Sequence, residues 1–231
     1  MAKNEYELKS WLWLWLPVVL FILIFGSALI SEYVHDTFFA GELGFIELAT
    51  PLMLVPAIIS GFVIFINREK LVTQQLAYWI LLVTLACIYI AGEEISWGQQ
   101  LVGWGTPEWV KEVNDQHETN LHNTSSWFDQ KPRVLLEIFV LVGGIFLPIK
   151  RKLQGINLPR DSWQYWLYPT MVCLPAAILA IFSRMPERIK NLFDMSEYIV
   201  DIRTSEIQEL YFAIFLMIYL LSIRKRLELS P

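Results

Sequence analysis

The chain has 231 residues, 55% hydrophobic and 14% aromatic against 18% charged, with a formal net charge of −5 and a mean hydropathy of +0.44. That balance excludes an ordinary soluble domain. With no Lys/Arg cluster outside the helix flanks, it also excludes nucleic acid as a partner.

Apolar blocks of about 20 residues recur along the chain, the length that crosses about 30 Å of hydrocarbon at 1.5 Å per residue. They predict an all-α integral membrane bundle of six transmembrane helices in a single domain, with spans 11–31, 45–66, 76–96, 134–149, 163–182 and 207–223. The first block is too long for a signal peptide and no small-residue cleavage site follows it, so it reads as a retained span. Cys87 and Cys173 both fall inside apolar blocks and read as small core side chains, not as a disulfide or metal pair. One set of alternate loops carries Lys3, Lys9, Arg68, Lys70, Lys150, Arg151, Lys152, Arg160, Arg224, Lys225 and Arg226. The other carries Lys111, Lys131, Arg133, Arg184, Arg188, Lys190 and Arg203 over a greater length and mixed with acids. The positive-inside rule therefore places both termini in the cytoplasm.

The longest outer segment runs from Trp97 to Arg133 and is rich in tryptophan, which marks it as structured and membrane-apposed. Within it, Thr106-Pro107-Glu108 reads as an N-cap, a proline at the first helical position and an acid in the first turn, opening a short helix through Val113. Trp104, Trp109 and Trp127 suit the headgroup level.

Acids gather at the outer ends of the spans: Glu47, Glu93, Glu94, Glu137, Glu206 and Glu209. A charge at the centre of a span costs about 2.5 to 3.5 kcal/mol, and less toward the interface. Glu47, Glu137, Glu206 and Glu209 begin outside-to-inside helices, where the macrodipole favours an acid, so they read equally well as helix starts. Glu93 and Glu94 sit side by side near a helix C-terminus, where dipole and mutual repulsion both oppose them. Exposure to water is the plain account; a raised pKa, a cation or a basic partner is the functional one.

The second signal is Asn114-Asp115-Gln116-His117-Glu118-Thr119-Asn120-Leu121-His122-Asn123. In an extended conformation Asn114, Gln116, Glu118, Asn120 and His122 project from one face, an array of oxygen donors plus an imidazole that suits a divalent cation or a sugar or phosphate headgroup. A solvated polar loop is the alternative. No metalloprotease, EF-hand, P-loop or nucleophile-elbow motif is present. Asn123-Thr124-Ser125 matches a glycosylation triplet that carries meaning only in a secretory host.

Gly92-Glu93-Glu94-Ile95-Ser96-Trp97-Gly98-Gln99, then Thr106-Pro107-Glu108-Trp109, then the Asn114–Asn123 stretch together resemble a signature of bacterial polytopic membrane proteins to which no activity is assigned. The resemblance spans about residues 92–123 and implies a bacterial inner-membrane setting without implying a mechanism.

Three functions fit these signals. The first is a metal-dependent membrane enzyme, a hydrolase or transferase acting on a lipid or lipid-linked headgroup at the outer leaflet. Glu93, Glu94, Glu118 and His122 would ligate a divalent metal ion, and Glu93, Glu94 and His122 would supply the base. Asn114, Gln116 and Asn120 would contact substrate, and Arg184 and Arg188 would bind a phosphate, unless those arginines anchor the interface or pair with Glu187 and Asp194. The second is a transporter or channel, expected to be a homo-oligomer, suggested by prolines at Pro51 and Pro56 in the second span and at Pro169 and Pro175 in the fifth. The third is a non-catalytic assembly protein. The enzyme is favoured because the polar groups converge on one leaflet and do not line a path.

Overall fold

The computed structural model describes residues 8–39, 44–111, 119–120, 126–195 and 202–228. Twelve α-helices, with short 3-10 and π segments, make up the regular structure among these residues: α1 Leu16–Ile30, α2 Glu32–Phe38, α3 Phe45–Ile66, α4 Gln74–Glu94, α5 Gln99–Val102, α6 Glu108–Lys111, α7 Ser126–Phe139, α8 Leu147–Leu153, α9 Trp163–Leu167, α10 Leu174–Phe182, α11 Met185–Leu192 and α12 Thr204–Glu228. They form six stretches long and apolar enough to cross a membrane: Trp11–Ile30, Phe45–Ile66, Gln74–Glu94, Lys131–Leu153, Trp163–Leu192 and Thr204–Glu228. The chain is thus an all-α bundle of six candidate membrane-spanning helices. Its carboxylate end holds the end of α4 and the start of α12, and its basic end holds Arg151 and Arg226.

The helix α12 occupies the axis. Apolar residues surround it on every side, the pattern of a helix with no solvent face, and Ile207, Leu210, Tyr211, Ile214, Phe215, Ile218 and Tyr219 are all fully buried. The helices α3 and α10 pack on it most extensively. On α3, Ile46, Thr50, Leu54, Ala57, Gly61 and Ile64 form the buried stripe, while Leu52, Val55, Ile59, Phe62 and Ile66 face outward. That second stripe suits lipid, since hydrocarbon solvates it as well as protein does.

Close approach between helices depends on small residues. A Cβ at Gly61 would collide with Thr84 of α4, and one at Gly144 would sit 2.6 Å from Phe215 and 2.7 Å from Ala177. The fourth span is longer than predicted because helix continues upstream through Arg133 and downstream through Leu153. Its middle, Val140–Phe146, is wound as π-helix around the Gly143-Gly144 pair. Phe139 at its start makes edge contacts with Trp79, Phe215 and Tyr219 at 5.6 to 5.7 Å, an aromatic cluster that fills the bundle interior.

The four prolines behave differently. The helix α3 runs unbroken through Pro51 and Pro56, whereas the fifth span breaks at Tyr168-Pro169-Thr170, with Tyr168 extended as the residue before a proline prefers. Tyr219 donates its hydroxyl to the Leu167 carbonyl at 2.7 Å and receives the Trp79 indole N–H at 3.0 Å. Two turns further along α12, Arg226 donates to the Tyr165 carbonyl. The second and fifth spans therefore do not form a matched pair of broken helices. The interior hydroxyls of Thr50, Thr84 and Ser222 are turned back onto carbonyls of their own helices.

Candidate functional site at the carboxylate end

The helix α4 stops at Glu94 in three consecutive left-handed residues, Ser96 (φ 46°), Trp97 (φ 56°) and Gly98 (φ 99°). Glycine tolerates this conformation, but a side-chain-bearing residue is strained there by about 1 to 3 kcal/mol and persists only when its surroundings over-determine it. The Trp97 ring lies over Gly92, where a Cβ would come within 2.8 Å of it, and its Nε1 donates to Glu93 at 2.7 Å. From farther along the loop between α4 and α7, the Thr119 hydroxyl donates to the Ser96 carbonyl at 2.9 Å and Asn120 Nδ2 to the Ser96 hydroxyl at 3.1 Å. Gln99 completes the clasp: its Oε1 accepts the Thr119 backbone N–H at 2.7 Å, and its Nε2 donates to Thr106 at 2.6 Å and to the Trp104 carbonyl at 3.2 Å. The resembling segments around residues 92–99, 106 and 119–120 thus fold onto one another.

Replacing Trp97 with Phe keeps the ring over Gly92 but removes a donor from the buried Glu93 carboxylate. A hydrogen bond to a charged group is worth about 1.5 to 3 kcal/mol, so a fall in thermal midpoint is expected in detergent. A midpoint equal to wild type would show that the indole N–H does not hold this turn.

Glu93 and Glu94 diverge. Glu93 is buried and directed to Trp97, whereas the half-buried Glu94 lies within electrostatic range of Glu209, Glu47, Glu206 and Arg133. Arg133 pairs with Glu209. Arg203 pairs with Glu206 at 2.9 Å and approaches Glu47 at 3.8 Å. Among the described residues, then, four carboxylates meet two guanidinium groups, and Glu94 is the acid of this group that enters no ion pair. Glu47, Glu206 and Glu209, which read equally well as helix starts, gather about these two arginines, and Glu47 and Glu206 also stand in the first turns of α3 and α12.

Arg184 and Arg188 lie beside this cluster but are committed to carboxylates. Arg184 bonds Glu187 at 2.5 and 3.0 Å, Thr204 donates to the same acid at 2.9 Å, and Arg188 pairs with Glu137. Their partners are Glu187, as the anchoring alternative expects, and Glu137 in place of Asp194. Asn120 is buried and bonded to Ser96, which makes it a structural residue of the turn as much as a contact for substrate. Asn114, Gln116, Glu118 and His122 lie outside the described residues. Among the described residues no group of three His, Cys, Asp or Glu side chains is arranged to hold a metal ion.

Sequence reasoning passed over Arg133 and Arg203 as site members and over His35. The Ser27 hydroxyl donates to the Ile24 carbonyl at 2.7 Å, so at its 3.1 Å contact with His35 Nδ1 it accepts. The Nε2 of this buried imidazole has no hydrogen-bond partner among the described residues.

Fold and site together define a six-span helical membrane protein with a carboxylate and arginine cluster confined to one end. No protein-family model matches the chain, and no curated protein and no solved structure is similar to it.

Proposed function

We propose that the protein is a membrane-embedded hydrolase or transferase that acts on the headgroup of a lipid or lipid-linked substrate at the outer leaflet of a bacterial inner membrane, with both termini in the cytoplasm. The observation that carries this reading is Glu94. It is a carboxylate at the end of a candidate membrane span, outside every ion pair among the described residues, within electrostatic range of three further acids whose repulsion a proton or a cation relieves. A group held in that state is suited to take a proton from, or return one to, a reacting hydroxyl or water.

The proposal includes a divalent cation, since the donors around Glu94 are hard oxygens of the kind Mg²⁺, Mn²⁺ or Ca²⁺ prefers. When bound it would polarise a phosphoryl oxygen or activate water. His122 and Glu118 are the candidates to share it with Glu94. Against a through-membrane route stand the axial position of α12, the aromatic filling of the interior and the unmatched helix breaks.

The test is reconstitution of the full chain into vesicles of bacterial lipid extract, with headgroup release or transfer followed with and without an ion gradient. Turnover that saturates with lipid, ignores collapse of the gradient and stops on chelation is the expected result. Gradient-dependent flux without headgroup chemistry would replace this reading with a transporter.

A further inference from the structure

The helix α4 stops short of the point where its own sequence would end it. Residues 95–102 contain no proline, and Gly98 is the poorest helix former among them. Gly103, with φ 77° and its N–H on the Gln99 carbonyl at 2.7 Å, is the left-handed glycine that commonly closes a helix. Right-handed winding does resume ahead of it, in α5. Between α4 and α5 stand Ser96, Trp97 and Gly98, all at positive φ, and of the three only Gly98 takes that conformation without strain.

The interruption is therefore imposed from elsewhere in the chain. A continuous helix would give the Ser96 carbonyl to the Gln100 N–H; here it accepts the Thr119 hydroxyl, while Asn120 bonds the Ser96 side chain. Gln99 locks the arrangement, since its Oε1 accepts the Thr119 backbone N–H and its Nε2 donates to Thr106 and to the Trp104 carbonyl. The bond from Trp97 to Glu93 does not discriminate, because residues four apart are neighbours on an unbroken helix too. Strain at two side-chain-bearing residues opposes a few hydrogen bonds of small net worth, which leaves the two arrangements close in free energy.

We propose that residues 96–99 form a latch with two positions. One is bent, with Thr119 and Asn120 engaged; the other is straight, with α4 running on to Val102 and Gly103 as its cap. Any event that withdraws Thr119 and Asn120 shifts the balance toward the straight form, because those contacts are made only in the bent one. As regulation of the Glu94 site the latch rests on the activity proposed above, since Glu94 is the last residue of α4 and its surroundings change when the helix continues past it.

The experiment labels the full chain in detergent with nitroxides at Leu82→Cys and Val102→Cys, both exposed positions, and reads their separation by pulsed electron resonance. Cys87 and Cys173 are buried and stay unlabelled. An unbroken helix sets the two positions about 30 Å apart, at 1.5 Å per residue, and a bend between them shortens that distance. Wild type should show mainly the shorter distance. Gln99→Met, which removes the amide, should raise the share of a population near 30 Å by about tenfold, and Thr119→Val, which removes one hydroxyl, by about fivefold. If Gln99→Met does not fold, Thr119→Val carries the test. A wild-type distribution centred near 30 Å overturns the latch, as do variants that keep the wild-type distribution. Variants whose distances spread without a peak near 30 Å also overturn it, because the turn then unravels instead of straightening. The distances report the latch whether or not lipid is turned over, so its failure and an absence of headgroup chemistry are separate results.

Discussion

Glu94→Gln is expected to abolish headgroup turnover, by about 10² to 10⁴-fold if Glu94 is the general base or acid, while leaving the protein folded and no less stable than wild type. The two halves of that expectation have one cause. Glu94 lies within electrostatic range of Glu209, Glu47 and Glu206 and enters no ion pair among the described residues, so a neutral amide of the same shape removes a repelled charge without stranding a cation. A residue kept for stability would behave in the opposite way, since loss of a paired charge leaves its partner uncompensated. Initial turnover rates in vesicles, together with thermal midpoints in detergent, read both halves. Retention of wild-type turnover by Glu94→Gln would remove this carboxylate from the chemistry and require another group as the acid or base.

A large loss of stability is expected from Tyr219→Phe. The ring would keep its edge contact with Phe139 and its stack on Phe215. Loss of the hydroxyl would strip partners from two groups at once, the Trp79 indole N–H and the Leu167 carbonyl exposed by the break before Pro169. An unmet buried polar group costs about 1 to 3 kcal/mol, whereas side-chain hydrogen bonds between membrane helices average about 0.6 kcal/mol because the unfolded chain in a membrane finds other partners. Pro169 restricts the alternatives available to this carbonyl, so a loss of about 2 kcal/mol is expected, the middle of the range for a single group. Tyr211→Phe is the comparison, because its hydroxyl donates only to the Pro17 carbonyl and should cost less. Unfolding midpoints in a graded detergent series distinguish them. Equal losses in the two variants would mean that the helix break does not depend on Tyr219.

The site was legible only in part. Glu93 and Glu94 stand out in sequence as an unfavourable pair at a helix end. Consecutive residues on a helix point about 100° apart, so they need not share a site, and here one turns to Trp97 and the other to the acids of α3 and α12. Ser96 and Trp97 carry no local signature of a left-handed turn. Their conformation is enforced by Thr119 and Asn120, more than twenty residues downstream. For Arg184 and Arg188 the sequence left phosphate binding and pairing with acids both open, and the fold pairs them with Glu187 and with Glu137, an acid 51 residues from Arg188.

By itself the sequence determined the class of protein and the number of spans, because the thickness of hydrocarbon and the rise of a helix leave a block of about 20 apolar residues little other use. It also determined which ends of the spans carry the acids. Tertiary structure alone decided that α12 forms the axis, that Pro169 breaks its helix where Pro51 and Pro56 do not, and that Glu47, Glu94, Glu206 and Glu209 meet. Those outcomes depend on side chains brought together from distant parts of the chain: a freed carbonyl stays where Tyr219 can reach it, and an acid points inward where Arg133 or Arg203 stands near. Local propensity carries no record of either encounter.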